Sequence, residues 1–338
     1  MLELNVNTRS PAAITAALKK VKEMTVTGTI SKTTTVHLVL EPGVYREVIA
    51  YNFSNPLIVE SAPGTKPYEC IVTADNCEAF HKGAENRSVI TFGPNVTSIK
   101  LKNFTVANAH EKTGSADVSL QDAAEALCWN NTSGTLYAEG MRFEGRQNTL
   151  CLKGFTFFNN CYICGDMDFI YGEADTALFE ECEIFLLEDN RGDRNGYVVK
   201  SNALANKNGF VFKECLFGAA KRRKGKLYVY RTEGKGSATS LKNWDSIALI
   251  NCVVSELYNE ELQWDDDHNL NVYPRGNKHC GWREYCTKTV SKNGSLSEVD
   301  TTVRNSKSYT LTEDDYNELY ASRYLILKDT PFAESMAE

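Results

Sequence analysis

Two acidic residues stand two positions apart in an apolar, strand-forming segment near the middle of the chain, Gly165–Gly172, which reads GDMDFIYG. Side chains alternate across a strand, so we expect Asp166 and Asp168 to leave the same face, about 7 Å apart. Burying an ionised carboxylate costs several kcal/mol unless the charge is paired, so a purely structural strand rarely carries two of them. This segment is therefore the first candidate for a catalytic site.

The composition is that of an ordinary soluble globular protein. The chain has 338 residues, of which 42% are hydrophobic and 24% charged, enough for a sizeable core. The net charge of −7 argues against general nucleic-acid affinity. No apolar stretch approaches the ~18 residues that a membrane-spanning helix needs. We therefore expect neither a nucleic acid nor a membrane as a partner.

The cysteines and the amino terminus bear on the cellular setting. Eleven cysteines are scattered singly, many inside strand-like segments, where a reduced thiol behaves as a small apolar side chain. Met1–Asn7 has neither a basic start nor an apolar segment, so no secretion signal is visible. We expect a cytoplasmic location, although a secreted chain that starts after a removed signal would look the same. Cys161 and Cys164 have no second CxxC pair to complete a metal cage, so we expect no metal and no cofactor.

A three-point pattern recurs along the middle of the chain and indicates a solenoid. Each copy has an apolar residue, then cysteine, methionine or phenylalanine, then a further apolar residue two positions later. The copies recur at about 20 residues, sometimes lengthened by a loop, which is typical of stacked rungs of short strands. Long amphipathic helices are missing from this region, so the pattern predicts a parallel β-helix. The copies are Leu101/Phe104/Val106, Ala138/Met141/Phe143, Phe158/Cys161/Ile163, Phe179/Cys182/Ile184, Phe212/Cys215/Phe217 and Leu249/Cys252/Val254.

Both ends of the chain carry patterns of amphipathic helices, which we expect to cap the open ends of the solenoid core. Near the start, Ser10 is the expected N-cap of a helix with apolar residues at helical spacing. Near the end, Thr312–Asp315 leads into a second such helix. We find no linker, so we predict a single domain over residues 1–338, with an N-terminal cap at about 8–24 and a C-terminal cap at about 311–332.

Several segments together resemble the pectin methylesterase family. GDMDFIYG is similar to the signature strand of that family, in which the aspartate before Phe-Ile-aromatic-Gly is the nucleophile. The other matches are Val36–Glu47 with its Pro-Gly-Val-Tyr run, Leu101–Asn108, Gly145–Leu150 at the family's Gln-Asp-Thr-Leu turn, and Tyr230-Arg231 at its Gly-Arg-Pro-Trp motif. The resemblance spans about residues 10–332. It implies an all-β fold, a right-handed parallel β-helix with an N-terminal capping helix and a C-terminal helix.

The chemistry that the resemblance implies is hydrolysis of the methyl esters of galacturonate units in pectin. Asp168 would attack the ester carbonyl, giving a tetrahedral oxyanion, methanol and an acyl-enzyme that water then cleaves. Arg231 would keep Asp168 charged and fix its orientation. Gln147 would donate an amide N–H to the oxyanion, a contact worth about 3–4 kcal/mol.

The proton donor to the leaving methanol is where the sequence departs from the family. The family's Gln-Asp pair reads Gln147-Asn148 here, and an amide cannot pass a proton at neutral pH. Either a neighbouring acid has taken over, or activity is lost, or Asn148 stands in place of a native aspartate. The candidate acids are Glu125, one rung earlier, and Asp166. The negative charge of Asp168 raises the pKa of a second carboxyl group nearby, so that this group can stay protonated.

The alignment around Glu125 leaves an alternative open. Ala124–Leu127 aligns with the family's Gln-Ala-Val-Ala-Leu motif, but Gln121 is a competing match for its glutamine if the alignment is shifted. With that shift the oxyanion site is intact and Glu125 is merely exposed.

Aromatic and acidic residues are the candidate substrate contacts, because sugar rings stack on aromatic faces and polar groups orient them. Tyr171 matches an aromatic residue of the family's cleft, and Trp264 lies in the loop that corresponds to the family's tryptophan-bearing loop. Glu233 replaces the tryptophan of Gly-Arg-Pro-Trp and should disfavour a bare galacturonate. Asp166 is the further candidate, at the edge of the cleft.

We therefore predict an esterase that acts as a monomer on methyl-esterified homogalacturonan or its oligosaccharides. The alternative is a catalytically impaired β-helix protein that binds oligogalacturonides, which the residues Asn148 and Glu233 motivate.

Overall fold

The computed structural model describes residues 1–112, 121–189, 191, 194–221, 225–262 and 272–333. Within these ranges the strands form three long sheets, which we name A, B and C, and the strands are numbered in chain order. Each neighbouring pair is parallel except the last pair of sheet B, β26 and β27. From β2 to β22 the chain visits sheets A, B and C in turn, so each set of three strands is one rung of a parallel β-helix.

The bounds of the strands follow sheet by sheet. Sheet A contains β1 (Leu2–Val6), β2 (Val36–Leu40), β5 (Leu57–Ser61), β8 (Ser98–Lys102), β11 (Thr135–Glu139), β14 (Gly154–Asn159), β17 (Ala174–Glu180), β20 (Gly209–Lys213), β23 (Ile247–Ile250), β25 (Trp282–Tyr285) and β28 (Tyr309–Thr310). Sheet B contains β3 (Gly43–Arg46), β6 (Cys70–Ala74), β9 (Thr105–Asn108), β12 (Arg142–Glu144), β15 (Tyr162–Gly165), β18 (Glu183–Leu186), β21 (Leu216–Ala219), β24 (Val253–Ser255), β26 (Lys288–Val290) and β27 (Leu296–Glu298). Sheet C contains β4 (Ile49–Tyr51), β7 (Ile90–Phe92), β10 (Leu127–Trp129), β13 (Leu150–Leu152), β16 (Met167–Gly172), β19 (Gly196–Ser201) and β22 (Leu227–Tyr230).

The repeating pattern of the sequence marks the corner where each rung passes from sheet A to sheet B. The first residue of each copy stacks on its equivalents in the neighbouring rungs. The rings of Phe158, Phe179 and Phe212 are stacked, with successive centroids 4.7 Å apart. The central position of each copy is buried, and four of these positions form a ladder of thiols, Cys161, Cys182, Cys215 and Cys252. The predicted rungs are confirmed.

The corner needs a backbone conformation that most residues avoid. The residue just before each central position has a positive φ, for example 50° at Asn160 and 53° at Glu181. Asparagine tolerates this left-handed conformation, whereas glutamate adopts it at a cost. The thiol that follows offsets part of that cost, because Cys182 donates to the carbonyl of Glu180, 3.3 Å away.

Cys164 is buried in β15, and no cluster of metal-binding side chains occurs among the described residues.

The first helix, α1 (Ala13–Val26), covers the N-terminal end of the core with its buried face of Ile14, Leu18 and Val21. Ser10 is not its N-cap, contrary to expectation, because the helix begins after Ala12, whose side chain makes no capping bond. The carboxylate of Glu47, between β3 and β4, caps the helix instead, accepting the backbone N–H of Ile14 at 3.0 Å and of Thr15 at 2.8 Å. A partner distant in sequence thus supplied the anion that helix starts favour. A short helix, α2 (Ala84–Arg87), precedes β7.

The C-terminal helices are α3 (Glu313–Leu319) and α4 (Arg323–Leu327). The predicted cap of α3 is confirmed, because Thr312 and Asp315 form a capping box. The expectation that this end of the chain closes the open core is wrong. The helices pack on the outer face of sheet A, because its outward positions are apolar there: Phe157, Leu178, Val211 and Ala248.

In the part of the chain that the structure describes, no helix has the length and apolar character to cross a bilayer.

Candidate active site

Asp168 lies at an irregularity of β16, on the outer face of sheet C. The register between β16 and β19 shifts between Met167 and Ile170, and Asp168 has a φ of 45°. Phe169 and Ile170 point into the core. The regular alternation from which Asp166 and Asp168 were predicted as a pair on one face does not hold through this strand, because the adjacent residues Phe169 and Ile170 both face the core. A non-glycine residue in the left-handed region stores strain that is common at functional sites.

Arg231 binds both oxygens of the Asp168 carboxylate. Its Nε donates to Oδ1 at 3.0 Å, and its Nη2 donates to Oδ2. The Asp168 side chain is 8% exposed and that of Arg231 is 30% exposed, so the pair opens to solvent on one side. The guanidinium also lies over the ring of Tyr197, 5.2 Å from its centroid. Burial tends to lower the pKa of Arg231, but the charge of Asp168 outweighs it and raises that pKa. The predicted pairing is confirmed.

Gln147 lies beside β16, the strand that carries Asp168. Its backbone bridges Ala123 on one side and Met167 on the other, so these three residues form a row across sheet C. The side chain is buried, and its Oε1 accepts no hydrogen bond within the described residues. The row places Ala123, which has no polar side chain, one rung before Gln147. Gln121 does not supply the glutamine side chain that Ala123 lacks, because Gln121 is exposed and its backbone carbonyl accepts the N–H of Ala79.

Asn148 lies in the turn between β12 and β13, half-buried, with a φ of 68°. Its backbone N–H donates to the carbonyl of Met167 at 3.1 Å, which fixes this turn against the residue that precedes Asp168. Asn148 is thus adjacent to the rung that carries Asp168, where the resemblance implies an acid.

Glu125 is not the replacement acid. Its carboxylate is fully buried and accepts from Nε of Arg87 at 2.7 Å and from Nη2 at 2.6 Å. The hydroxyl of Tyr171 donates to the same carboxylate. A side chain without exposed surface, held by Arg87 and Tyr171, cannot contact a leaving group. The alternative that left Glu125 merely exposed is wrong as well.

Tyr171 is tied down by this cluster. Burial raises the pKa of its phenol well above the usual value, and the hydroxyl donates to Glu125. The ring remains half-buried at sheet C, so the prediction of a substrate contact stays a prediction.

Asp166 is a buried structural ion rather than a substrate contact. Its carboxylate is fully buried and pairs with Lys112, which also lies 3.5 Å from Asp189. Burial raises the pKa of Asp166 and lowers that of Lys112. A group without exposed surface cannot touch a sugar, so the predicted roles as substrate contact and as acid are not supported.

Glu233 lies two residues after Arg231 and is neutralised by two lysines. Lys200 pairs with one carboxylate oxygen, and Lys235 lies 3.0 Å from the other. Burial tends to raise the pKa of Glu233, but hydrogen bonds from the two lysines lower it. The expected repulsion of a bare galacturonate does not follow, because the three side chains together carry one positive charge. Trp264 lies outside the described residues.

The cations that pair with these acids were not predicted from the sequence. Arg87, Lys112 and Lys200 each pair with an acid that had been singled out, across separations of 38, 54 and 33 residues. The available signal was indirect: a buried carboxylate requires a cationic or hydrogen-bonding partner. The sequence did not indicate which cation would supply it.

Comparisons with known proteins agree with the fold. The family model Pectinesterase matches residues 8–304. "Probable pectinesterase 50" of Arabidopsis thaliana is 29% identical over 180 residues, covering 52% of this chain and 45% of that protein. "Putative pectinesterase 11" of the same plant is 24% identical over 283 residues, covering 80% of this chain and 68% of that protein. This chain thus spans about half to two thirds of the length of these relatives.

A solved structure supports the same architecture. "Pectin methylesterase PemA from Erwinia chrysanthemi" superposes with a TM-score of 0.63 at 17% identity, covering 91% of this chain and 92% of that one. At this identity the likeness concerns the fold, and it confirms the predicted right-handed parallel β-helix.

Proposed function

Because the chain belongs to the pectinesterase family, we propose that it hydrolyses methyl esters of galacturonate units in pectin or pectic oligosaccharides. The observation that carries the proposal is the Asp168 carboxylate, presented on the outer face of sheet C and held by both N–H groups of the Arg231 fork. Forked pairing of this kind orients a carboxylate while keeping it charged. An ionised, oriented and partly desolvated carboxylate can act as a nucleophile.

The first half of the proposed reaction forms the acyl-enzyme. A carboxylate oxygen of Asp168 attacks the ester carbonyl carbon, and the carbonyl oxygen takes up the electron pair as an oxyanion. The amide of Gln147, in the row beside Met167, donates to that oxyanion. The oxyanion then collapses, the carbon–oxygen bond to methoxide breaks, and an anhydride links Asp168 to the sugar.

The second half returns the enzyme. Water adds to the sugar carbonyl carbon of the anhydride, and the bond to Asp168 breaks. The products are a galacturonate carboxylate, methanol, one proton released to the solvent and free Asp168. Each turnover thus consumes one water.

Protonation of the leaving methoxide is the weak step of this mechanism. Asn148 offers no acidic proton, and the carboxylates of Glu125 and Asp166 are engaged with Arg87 and Lys112. We propose that water supplies the proton and that departure of methoxide limits the rate. The enzyme should then be slow on methyl esters for want of an acid, not for want of a nucleophile.

Methanol release from methyl-esterified oligogalacturonides tests the proposal. We expect turnover by the wild-type protein and none by Asp168→Asn, while the control Asp314→Asn, on an exposed position of α3, keeps full activity. Absence of methanol from the wild-type protein, together with tight binding of the oligosaccharide, would overturn the proposal in favour of a carbohydrate-binding protein.

A further inference from the structure

A buried carboxylate behind the catalytic arginine is not used by the proposed reaction. Asp245 lies in the segment between β22 and β23 and is 2% exposed. The hydroxyl of Tyr230 donates to its Oδ1, and the hydroxyl of Thr232 donates to its Oδ2 at 2.8 Å. Its two side-chain donors are thus the residues that flank Arg231.

The flanking residues and the arginine point in opposite directions. Tyr230 and Thr232 are buried, and the ring of Tyr230 packs against Trp282 with centroids 6.0 Å apart. Arg231 lies between them and points outward to Asp168. An extended segment alternates in this way, so fixing the two inward side chains fixes the direction of the outward one.

Asp245 is itself held by the backbone of Tyr273. Its Oδ2 accepts the backbone N–H of Tyr273 at 2.8 Å, and its own N–H donates to the carbonyl of Tyr273 at 2.7 Å. The backbone N–H of Arg231 donates to the carbonyl of Val199 at 2.9 Å. β19 therefore holds the backbone of Arg231, and the Asp245 carboxylate holds both of its neighbours.

We infer that Asp245 is a positioning residue, which aims the guanidinium of Arg231 at Asp168 by fixing Tyr230 and Thr232. Burying a carboxylate is unfavourable unless donors compensate for the lost water, and here two of the three donors belong to the catalytic segment. Burial raises the pKa of Asp245 to about 6 despite these donors. The charged form thus costs stability at neutral pH, as expected of a group retained for function. The kinetic consequences rest on the proposed function.

Thr232 offers the cleanest test, because its hydroxyl can be removed without changing its shape. The hydroxyl accepts from the backbone N–H of Gly234 at 2.9 Å, so its single proton is directed to Asp245. Thr232→Val deletes the donor, Thr232→Ser keeps it, and Tyr230→Phe removes the other donor while keeping the ring. The matched control is Thr156→Val, a buried threonine whose hydroxyl has no partner within the described residues.

We expect Thr232→Val and Tyr230→Phe each to lower kcat for methylated oligogalacturonides by about 10-fold, since small misplacements of catalytic groups are costly. KM should stay within about 2-fold, because ground-state binding is not the target. Thr232→Ser and Thr156→Val should remain near the wild-type kcat.

The arginine itself provides the second arm. In an Arg231→Lys background, which lacks the fork, Thr232→Val should cost less than about 2-fold, because its effect passes through the fork. A 10-fold loss in that background as well, or an equal loss in Thr156→Val, would assign Thr232 a general structural role and overturn the inference.

A readout without substrate keeps the inference separate from the proposed function. The NMR signal of the Arg231 Nε–H reports its hydrogen bond to Asp168, and assignment follows from its loss in Arg231→Lys. We expect this signal to move in Thr232→Val and Tyr230→Phe and to stay in Thr156→Val. An unmoved signal in both variants would refute the inference, whereas a wild-type protein without esterase activity and with a moving signal would refute only the proposed function.

Discussion

Two arginine–carboxylate pairs lie at sheet C, Arg231 with Asp168 and Arg87 with Glu125, and both use the fork of the guanidinium. They differ in exposure: the side chains of the first pair are 30% and 8% exposed, and those of the second are 12% and 0% exposed. The same pair of groups is therefore open to a substrate in one place and closed in the other.

The pairs differ also in their further partners. Glu125 accepts from Tyr171, and Arg87 pairs with Glu78 as well, so the second pair is the centre of a satisfied cluster. In the part of the chain that the structure describes, Asp168 accepts hydrogen bonds only from Arg231. A carboxylate with capacity left over can attack a carbonyl, whereas one saturated by donors stabilises the fold.

The largest effect should come from replacing Asp168, the proposed nucleophile. Asp168→Asn keeps the shape but removes the attacking charge, so we expect kcat to fall by at least about 10³-fold. The melting temperature should fall less than when the Arg87–Glu125 pair is broken, because the Arg231 side chain that loses its counter-charge is 30% exposed. Stopped assays of methanol release and thermal unfolding check both. Retained turnover would mean that the two pairs do not differ in the way that exposure indicates.

The second pair should respond in the opposite sense. Arg87→Met leaves Glu125 buried without its cation, so we expect a loss of about 3 kcal/mol in the free energy of unfolding. Denaturant titration measures this loss, and kcat per folded molecule should stay within about 2-fold. Arg231→Met is the matched variant, for which we expect loss of kcat and a smaller loss of stability. A collapse of kcat in folded Arg87→Met would show that the second pair takes part in catalysis.

Restoring an acid should sharpen the contrast between the pairs. Asn148→Asp places a carboxyl group in the turn beside the nucleophile's rung, and general acid catalysis contributes about 10²–10⁴-fold. We expect a gain of about 10²-fold on methyl esters and almost none on p-nitrophenyl esters, whose phenolate leaves without a proton. The control is Asn160→Asp, an exposed asparagine that shares the positive φ. No gain on methyl esters would mean that another group already supplies the proton.

The smallest effect concerns the charge beside the active pair. Lys200→Gln removes one of the two lysines that neutralise Glu233, so a free galacturonate unit should bind less well. We expect KM for partly de-esterified oligosaccharides to rise about 3-fold at low salt and to converge with wild type at high salt. Lys207→Gln, which affects only a pair with Asp175, is the control. Glu233→Gln should lower KM, and the same direction for both variants would contradict the electrostatic explanation.

Much of the fold was predictable because its information is local. Each rung repeats the same three-point pattern, as at Phe158, Cys161 and Ile163, and a solenoid needs contacts only between successive rungs. The cap of α3 at Thr312 was predictable for the same reason. The cap of α1 was not, because Glu47 supplies it from more than 30 residues away.

The site was predictable where a residue type determines its role and not where the partner does. Asp168 and Arg231 were found through motifs that resemble a family. Glu125 and Asp166 were misjudged, because their partners Arg87 and Lys112 lie far away in the sequence and no local pattern predicts them. The irregularity at Asp168 was missed as well, since it depends on how β16 aligns with β19.

The central claim is that Asp168 forms a covalent bond with the substrate, and rapid acid quench followed by mass spectrometry tests it most directly. The account predicts a transient adduct of one oligogalacturonyl group on the peptide that contains Gly165–Gly172, absent in Asp168→Asn. Methanol release without an adduct on that peptide, or an adduct on a different residue, would contradict it.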